Sequence, residues 1–184
     1  HSVMANPGTQ EKAKPALLNQ LSEIYRVNKN YAGAMDIARQ SAGMALRQQN
    51  YLAATQAYTL LANIKVNTQQ YPNLKQTTDS VFTLAQQSNS PVAMAYAYYS
   101  RALLYKTLGK ADEVVKFCQL GLTQLQKTTD HYIAAKIIYQ LYAVNSGWNK
   151  EDKVYQYARE ATDHALQAKD YNLLSNCYTA LSVA

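Results

Sequence analysis

The chain has 184 residues, 48% of them hydrophobic, enough apolar material for one or two domains with a buried core and too much for intrinsic disorder. Four prolines and six glycines over that length leave room for long uninterrupted elements and disfavour a turn-dense β-sandwich or barrel. Eighteen Lys and Arg against twelve acids give a net charge of +6, but the basic residues are scattered, so a solvated, mildly basic surface is expected rather than a nucleic-acid footprint.

In chain order, residues 1–10, beginning His1-Ser2-Val3-Met4, read as a vector-derived remnant and flexible lead-in. From residue 11 onward the chain repeats itself every 40 residues. Four helical hairpins are expected, at about 11–48, 50–88, 90–128 and 130–168, followed by the first helix of a fifth. Helix-capping residue types recur at Asn50, Ser90, Asp130 and Asp170, where a short polar side chain can accept a bond from the first helical turn. The turns inside the hairpins are Asn28-Lys29-Asn30, Gln69 to Asn73, Gly109 to Asp112 and Ser146 to Asn149. At Ala184 the pattern is still helical, so the chain reads as a piece of a longer protein.

Apolar positions keep the register. In the first helices one line runs Leu18, Tyr58, Tyr98, Ile138, Tyr178 and another Leu21, Leu61, Arg101, Leu141, Leu181. The next position is small, Ser22, Ala62, Ala102 and Ser182, except at Tyr142. In the second helices the lines are Ala34, Leu74, Val114, Val154; Ala38, Thr78, Cys118, Ala158; Ser41, Val81, Gly121, Ala161; and Ala45, Ala85, Leu125, Ala165. Spacings of i, i+3, i+4, i+7 and i+11 make the stripe of an amphipathic helix. Helices of about 15–18 residues would span roughly 25 Å. A single hairpin could not bury such a stripe, whereas stacked neighbours share one core.

The run Tyr98-x-x-Arg101-Ala102-x-x-Tyr105-x-x-x-Gly109, followed by Val114, Cys118, Gly121 and Leu122, resembles the tetratricopeptide repeat (TPR). The resemblance covers about residues 11–184. It departs from the family in its 40-residue unit, in the absence of a closing proline, and at Arg101 and Tyr142. It implies an all-α fold, an α-α superhelix of about four and a half antiparallel hairpins, whose first helices line a groove that binds protein or peptide segments. Carried over position by position, that groove holds Asn19, Gln56, Thr59, Asn63, Tyr96, Tyr99, Lys136, Tyr139 and Gln140. The Lys and Asn pairs with which some family members clamp a chaperone's C-terminal carboxylate are missing, which argues against a co-chaperone role. Long-unit arrays of this kind occur in bacterial regulators, on the cytoplasmic or periplasmic side, which implies the sensor or scaffold part of a larger signalling or transcriptional protein.

Tyrosines with few rotors and a hydroxyl tip, beside amides and the Lys136 ammonium, suit a peptide backbone, although any one of them could equally pack between hairpins. No catalytic residues, metal ligands or cofactor are expected. His131 follows the Asp130 cap and His164 follows Asp163, neither with a His or Cys one turn away. The pairs Asp112-Glu113 and Glu151-Asp152 are helix-start signals. Cys118 and Cys177 sit inside apolar patterns and read as small buried hydrophobes. Trp148 reads as a loop anchor under its own hairpin. No stretch is apolar for long enough to span a membrane. An assembly platform, with homodimer formation, is the alternative function. An RNA-binding array is less favoured because no pair of base-reading side chains repeats.

Overall fold

The computed structural model describes residues 7–126, 128, 130–147 and 151–183, and every regular element among them is helical. The helices are α1 (Pro7–Val27), α2 (Tyr31–Arg47), α3 (Tyr51–Asn67), α4 (Leu74–Ser88), α5 (Pro91–Thr107), α6 (Ala111–Leu125), α7 (His131–Gly147), α8 (Glu151–Ala168) and α9 (Tyr171–Val183), with a short 3-10 turn at Tyr71–Asn73 before α4. Two boundaries differ from expectation. The first helix starts at Pro7, a position where the missing N–H costs nothing, and α7 continues through Ser146 and Gly147. Trp148 and its expected anchoring role lie outside the described residues.

One local device joins the helices. A non-glycine residue with positive φ follows α1, α2, α3, α4 and α8, at Lys29, Gln49, Gln69, Asn89 and Lys169, and Gly109 does the same after α6's predecessor α5. These positions are spaced by multiples of twenty. The amide of the following residue then reaches back to the last turn, as in Asn30 N to Tyr25 O, Asn50 N to Ala45 O, Gln70 N to Lys65 O, Lys110 N to Tyr105 O and Asp170 N to Ala165 O, all 2.8–3.1 Å. This is the Schellman closure, which satisfies carbonyls left over at a helix end.

After four of the left-handed residues the next one caps the following helix, and Asp130 caps α7 in the same way. Side-chain oxygens of Asn30, Asn50, Ser90, Asp130 and Asp170 accept from the amides of Gly33, Ala53, Ala93, Ile133 and Leu173 at 3.0–3.4 Å. Lys110 makes no such cap, and Asp112 and Glu113 in the first turn of α6 offset the loss by complementing the helix dipole.

By its contacts the chain divides into two compact units, one ending at Asn89 and one beginning at Ser90. In the first, α1 packs on α2, α2 on α3, α3 on α4, and α1 also touches α3. In the second, each helix from α5 to α9 packs on the next, and α5 touches α7 as α7 touches α9. The fold of each unit is thus an all-α stack of helical hairpins in chain order, with first helices meeting first helices.

The second-helix lines read from the sequence are the interior of these stacks. Ala34, Ala38, Ser41, Ala45, Leu74, Thr78, Val81, Ala85, Val114, Cys118, Gly121, Leu125, Val154, Ala158, Ala161 and Ala165 are all buried. Small residues let backbones approach closely: a Cβ on Gly121 would stand 2.8 Å from Ile137 Cδ1 of α7. Larger side chains fill the remaining space, as where Leu60, Leu61 and Ile64 of α3 close over Ala34 and Ala38 of α2.

Two consequences follow for stability. Gly109 has φ of +67° with open space around it, so Gly109→Ala is expected to cost about 1 kcal/mol through backbone strain alone. Gln49, held at φ of 54°, should gain up to about 1 kcal/mol as Gln49→Gly. Urea unfolding of the two variants checks both signs.

Candidate functional site

Of the nine groove positions, four lie in the first unit and five in the second. Asn19 and Thr59 are buried in the first unit, while Gln56 and Asn63 are half-buried. Asn19 is a tie between helices. Its Nδ2 donates to Ala53 O of α3 at 3.0 Å, and Ser41 Oγ of α2 lies 2.7 Å from its Oδ1 and 2.8 Å from Pro15 O. Thr59 Oγ1 donates to Thr55 O and Asn63 Nδ2 to Thr59 O, so both spend a bond on the preceding turn of their own helix.

The same face of the first unit carries a cluster that periodicity could not reveal. Arg26 grips Glu23 through Nε and Nη2 at 2.7 and 2.9 Å, and its Nη1 donates to Asn67 Oδ1 of α3 at 3.0 Å. Both charged side chains are about one-sixth exposed, at 17% and 16%. A bidentate pair held this way is oriented before any ligand arrives. Its sequence signal is only an i, i+3 pair of opposite charges, indistinguishable from the exposed pairs Glu11 with Lys14 and Asp36 with Arg39.

In the second unit Tyr96 and Tyr99 are 6% and 4% exposed and Gln140 is 8% exposed. Their rings and amide are interior, so the aromatic wall expected from these positions narrows to half-buried Tyr139. Around it, α7 presents a row: Tyr132, Lys136 and Tyr139 at i, i+4 and i+7, all half-buried. Lys136 Nζ stands 4.5 Å from the Tyr132 ring centroid, and the Tyr139 and Tyr142 rings meet at 5.5 Å. Burial first, then Tyr142 and Cys177, raises the Tyr139 phenol above its ordinary value, which keeps it a hydrogen-bond donor. Beside the row, Lys106 Nζ reaches from α5 to Gln140 Oε1 at 3.0 Å, and burial lowers its affinity for its proton.

Cysteine chemistry is muted. Both thiols are free and buried. Burial pushes Cys118 up to about 12, against a smaller opposing effect of the Lys106 ammonium, and burial with Asp170 pushes Cys177 up to about 11. A thiol so rarely ionised is a poor nucleophile.

The histidines are closer than their spacing implied. His131 in the first turn of α7 and His164 on α8 bring their Nδ1 atoms to 3.0 Å, so one nitrogen carries the proton and the other accepts it. Residues 33 apart meet because α7 and α8 run antiparallel as a hairpin. Among the described residues no group of three or more His, Cys, Asp and Glu side chains converges. No helix among them is long and apolar enough to cross a membrane.

Two outcomes test these assignments. Asn19→Ala removes the bond by which α1 is tied to the Ala53 carbonyl of α3 and should cost about 0.5–1.5 kcal/mol in chemical denaturation. His164 is lowered from 6.5, by burial first and then by His131, against smaller opposing effects of Glu160 and Asp163. Its folded form binds the proton less readily than its unfolded form, so the stability it contributes is complete above 6.5 and is lost as pH falls through the lowered value. Melting temperatures measured from about pH 7 down to about pH 5 should therefore fall more steeply for the native chain than for His164→Gln.

Compared with known proteins, no protein-family model matches the chain, and no curated protein matches it.

Proposed function

We propose that the chain is a non-enzymatic, TPR-like interaction domain that holds a protein or peptide segment. The observation that carries this reading is the α7 row, in which an ammonium over a tyrosine ring adjoins a second, tilted pair of tyrosines, all half-buried. Rings fixed by packing lose little entropy on binding, and the Tyr139 hydroxyl donates to a peptide carbonyl or carboxylate. Lys136 favours an acidic segment. Glu23, Arg26, Asn63 and Gln56 on the first unit supply a separate polar face for the same kind of ligand.

The larger setting, a sensor or scaffold portion of a bacterial signalling or transcriptional regulator, rests on the resemblance of the 40-residue unit to long-unit TPR-like arrays. In that setting the chain would bias an output module through what it binds.

The test is a selection of displayed random dodecapeptides on the immobilised chain, followed by measured affinities for the winners. Tyr139→Ala and Lys136→Ala should each weaken binding about tenfold or more while the helical circular dichroism is retained. Peptides that bind both variants as tightly as the native chain would remove α7 as the site.

A further inference from the structure

Across the antiparallel hairpin of α7 and α8, the imidazoles of His131 and His164 aim the same atom at each other. Their Nδ1 atoms are 3.0 Å apart, their ring centroids 5.1 Å apart, and their planes are inclined at 42°. Two imidazoles on one tetrahedral zinc ion, with Zn–N bonds of about 2.0–2.1 Å, put their nitrogens about 3.3 Å apart and their centroids about 5.2 Å apart. The rings therefore already stand at the separation that a shared ion needs. A rotation of each ring about its own side-chain bonds, opening the nitrogens by about 0.3 Å, turns both lone pairs onto one point. The backbone beneath holds this spacing. Ala135 of α7 and Ala161 and Ala165 of α8 are fully buried in one cluster. The Asp130 carboxylate, accepting from Ile133 N at 3.2 Å, fixes the helical turn that carries His131. Glu160 and Asp163 act on His164 in the direction that favours positive charge. Both histidines are half-buried, which leaves part of each open to water.

We propose that His131 and His164 form a reversible binding site for a divalent transition-metal ion of the zinc class, held by the two Nδ1 atoms and completed by water. Coordination breaks the hydrogen bond between the rings. Each Nδ1 gives its lone pair to the ion, and the proton that one Nδ1 carried passes to Nε2 of its own ring, so two neutral imidazoles bind the ion without net release of a proton. No third His, Cys, Asp or Glu side chain converges with the pair among the described residues. Two nitrogens fill half of a tetrahedral shell, whereas sites that hold zinc permanently fill all of it. The ion therefore exchanges, and while bound it replaces one hydrogen bond between α7 and α8 by two coordinate bonds. Imidazole donors suit zinc, nickel and copper, and magnesium, which takes oxygen ligands, is excluded. The site shares no residue with the row of Tyr132, Lys136 and Tyr139, so it stands or falls apart from peptide binding.

Calorimetric titration of the 184-residue chain with zinc chloride at about pH 7.5 should show saturable binding with a dissociation constant of about 10–100 μM. His131→Gln and His164→Gln should each weaken it about tenfold or more while the helical circular dichroism is retained. His1 is kept in every variant, so any zinc that it holds is common to all of them. The donor atoms are read on the native chain from nitrogen-15 correlation spectra of the imidazoles, which do not depend on how a variant folds. Zinc should shift Nδ1 of His131 and His164 together, along one binding curve, and leave both rings protonated on Nε2. Equal zinc binding by the native chain and both variants overturns the proposal, as does a response from only one of the two rings. Absence of binding up to about 1 mM zinc overturns it too, and so does an equal response to magnesium, which would mean that carboxylates and not imidazoles hold the ion.

Discussion

The constraint on which the rest depends is the turn of two or three residues that follows a helix. A helix can be handed on to an antiparallel neighbour in so few residues only if one of them takes a left-handed conformation, and here residues other than glycine accept that conformation five times. At Asn30, Asn50 and Asp170 one residue closes a carbonyl of one helix through its amide and caps the next through its side chain, so both ends are satisfied by the same few atoms, whereas Gln70 and Lys110 make only the first bond. Because the turns recur at multiples of twenty residues, helix lengths match and equivalent side chains return to equivalent depths. The buried lines from Ala34 to Ala165 are a result of that regularity.

Close packing then places polar groups where water cannot reach them, and the structure answers most of them locally, with Gln48 Oε1 left without a partner among the described residues. Pro15 lacks an N–H, which leaves Glu11 O without its helical donor; Gln48 Nε2 supplies one at 2.9 Å. Ser22 Oγ donates to Ala34 O at 2.8 Å and pins α1 to α2 where the line of small residues lets them approach. Asn19 does the same between α1 and α3. Such ties add orientation to a core of alanines, whose methyl groups alone specify depth better than angle.

The residues left for recognition are those that this packing does not consume. Tyr96 and Tyr99 occupy groove positions by register yet are consumed by the interior, whereas Tyr139, one unit on, keeps part of its ring at the surface. Lys136 and Tyr132 become a unit only because both stand on one face of α7. The polar cluster of Glu23, Arg26 and Asn67 and the contact between His131 and His164 likewise come from helices brought side by side.

By itself the sequence determined the all-helical class, the 40-residue period, the caps at Asn50, Ser90, Asp130 and Asp170, and the small-residue lines of the second helices, because each of these is written in local chemistry or in spacing along one helix. Only the tertiary structure decided which register-equivalent side chains are interior, which charges pair, that two histidines 33 residues apart share a proton, and that the chain divides at Asn89. Burial and pairing depend on what the neighbouring helix carries at the same height. Period alone fixes the height and leaves the neighbour's side chain unspecified.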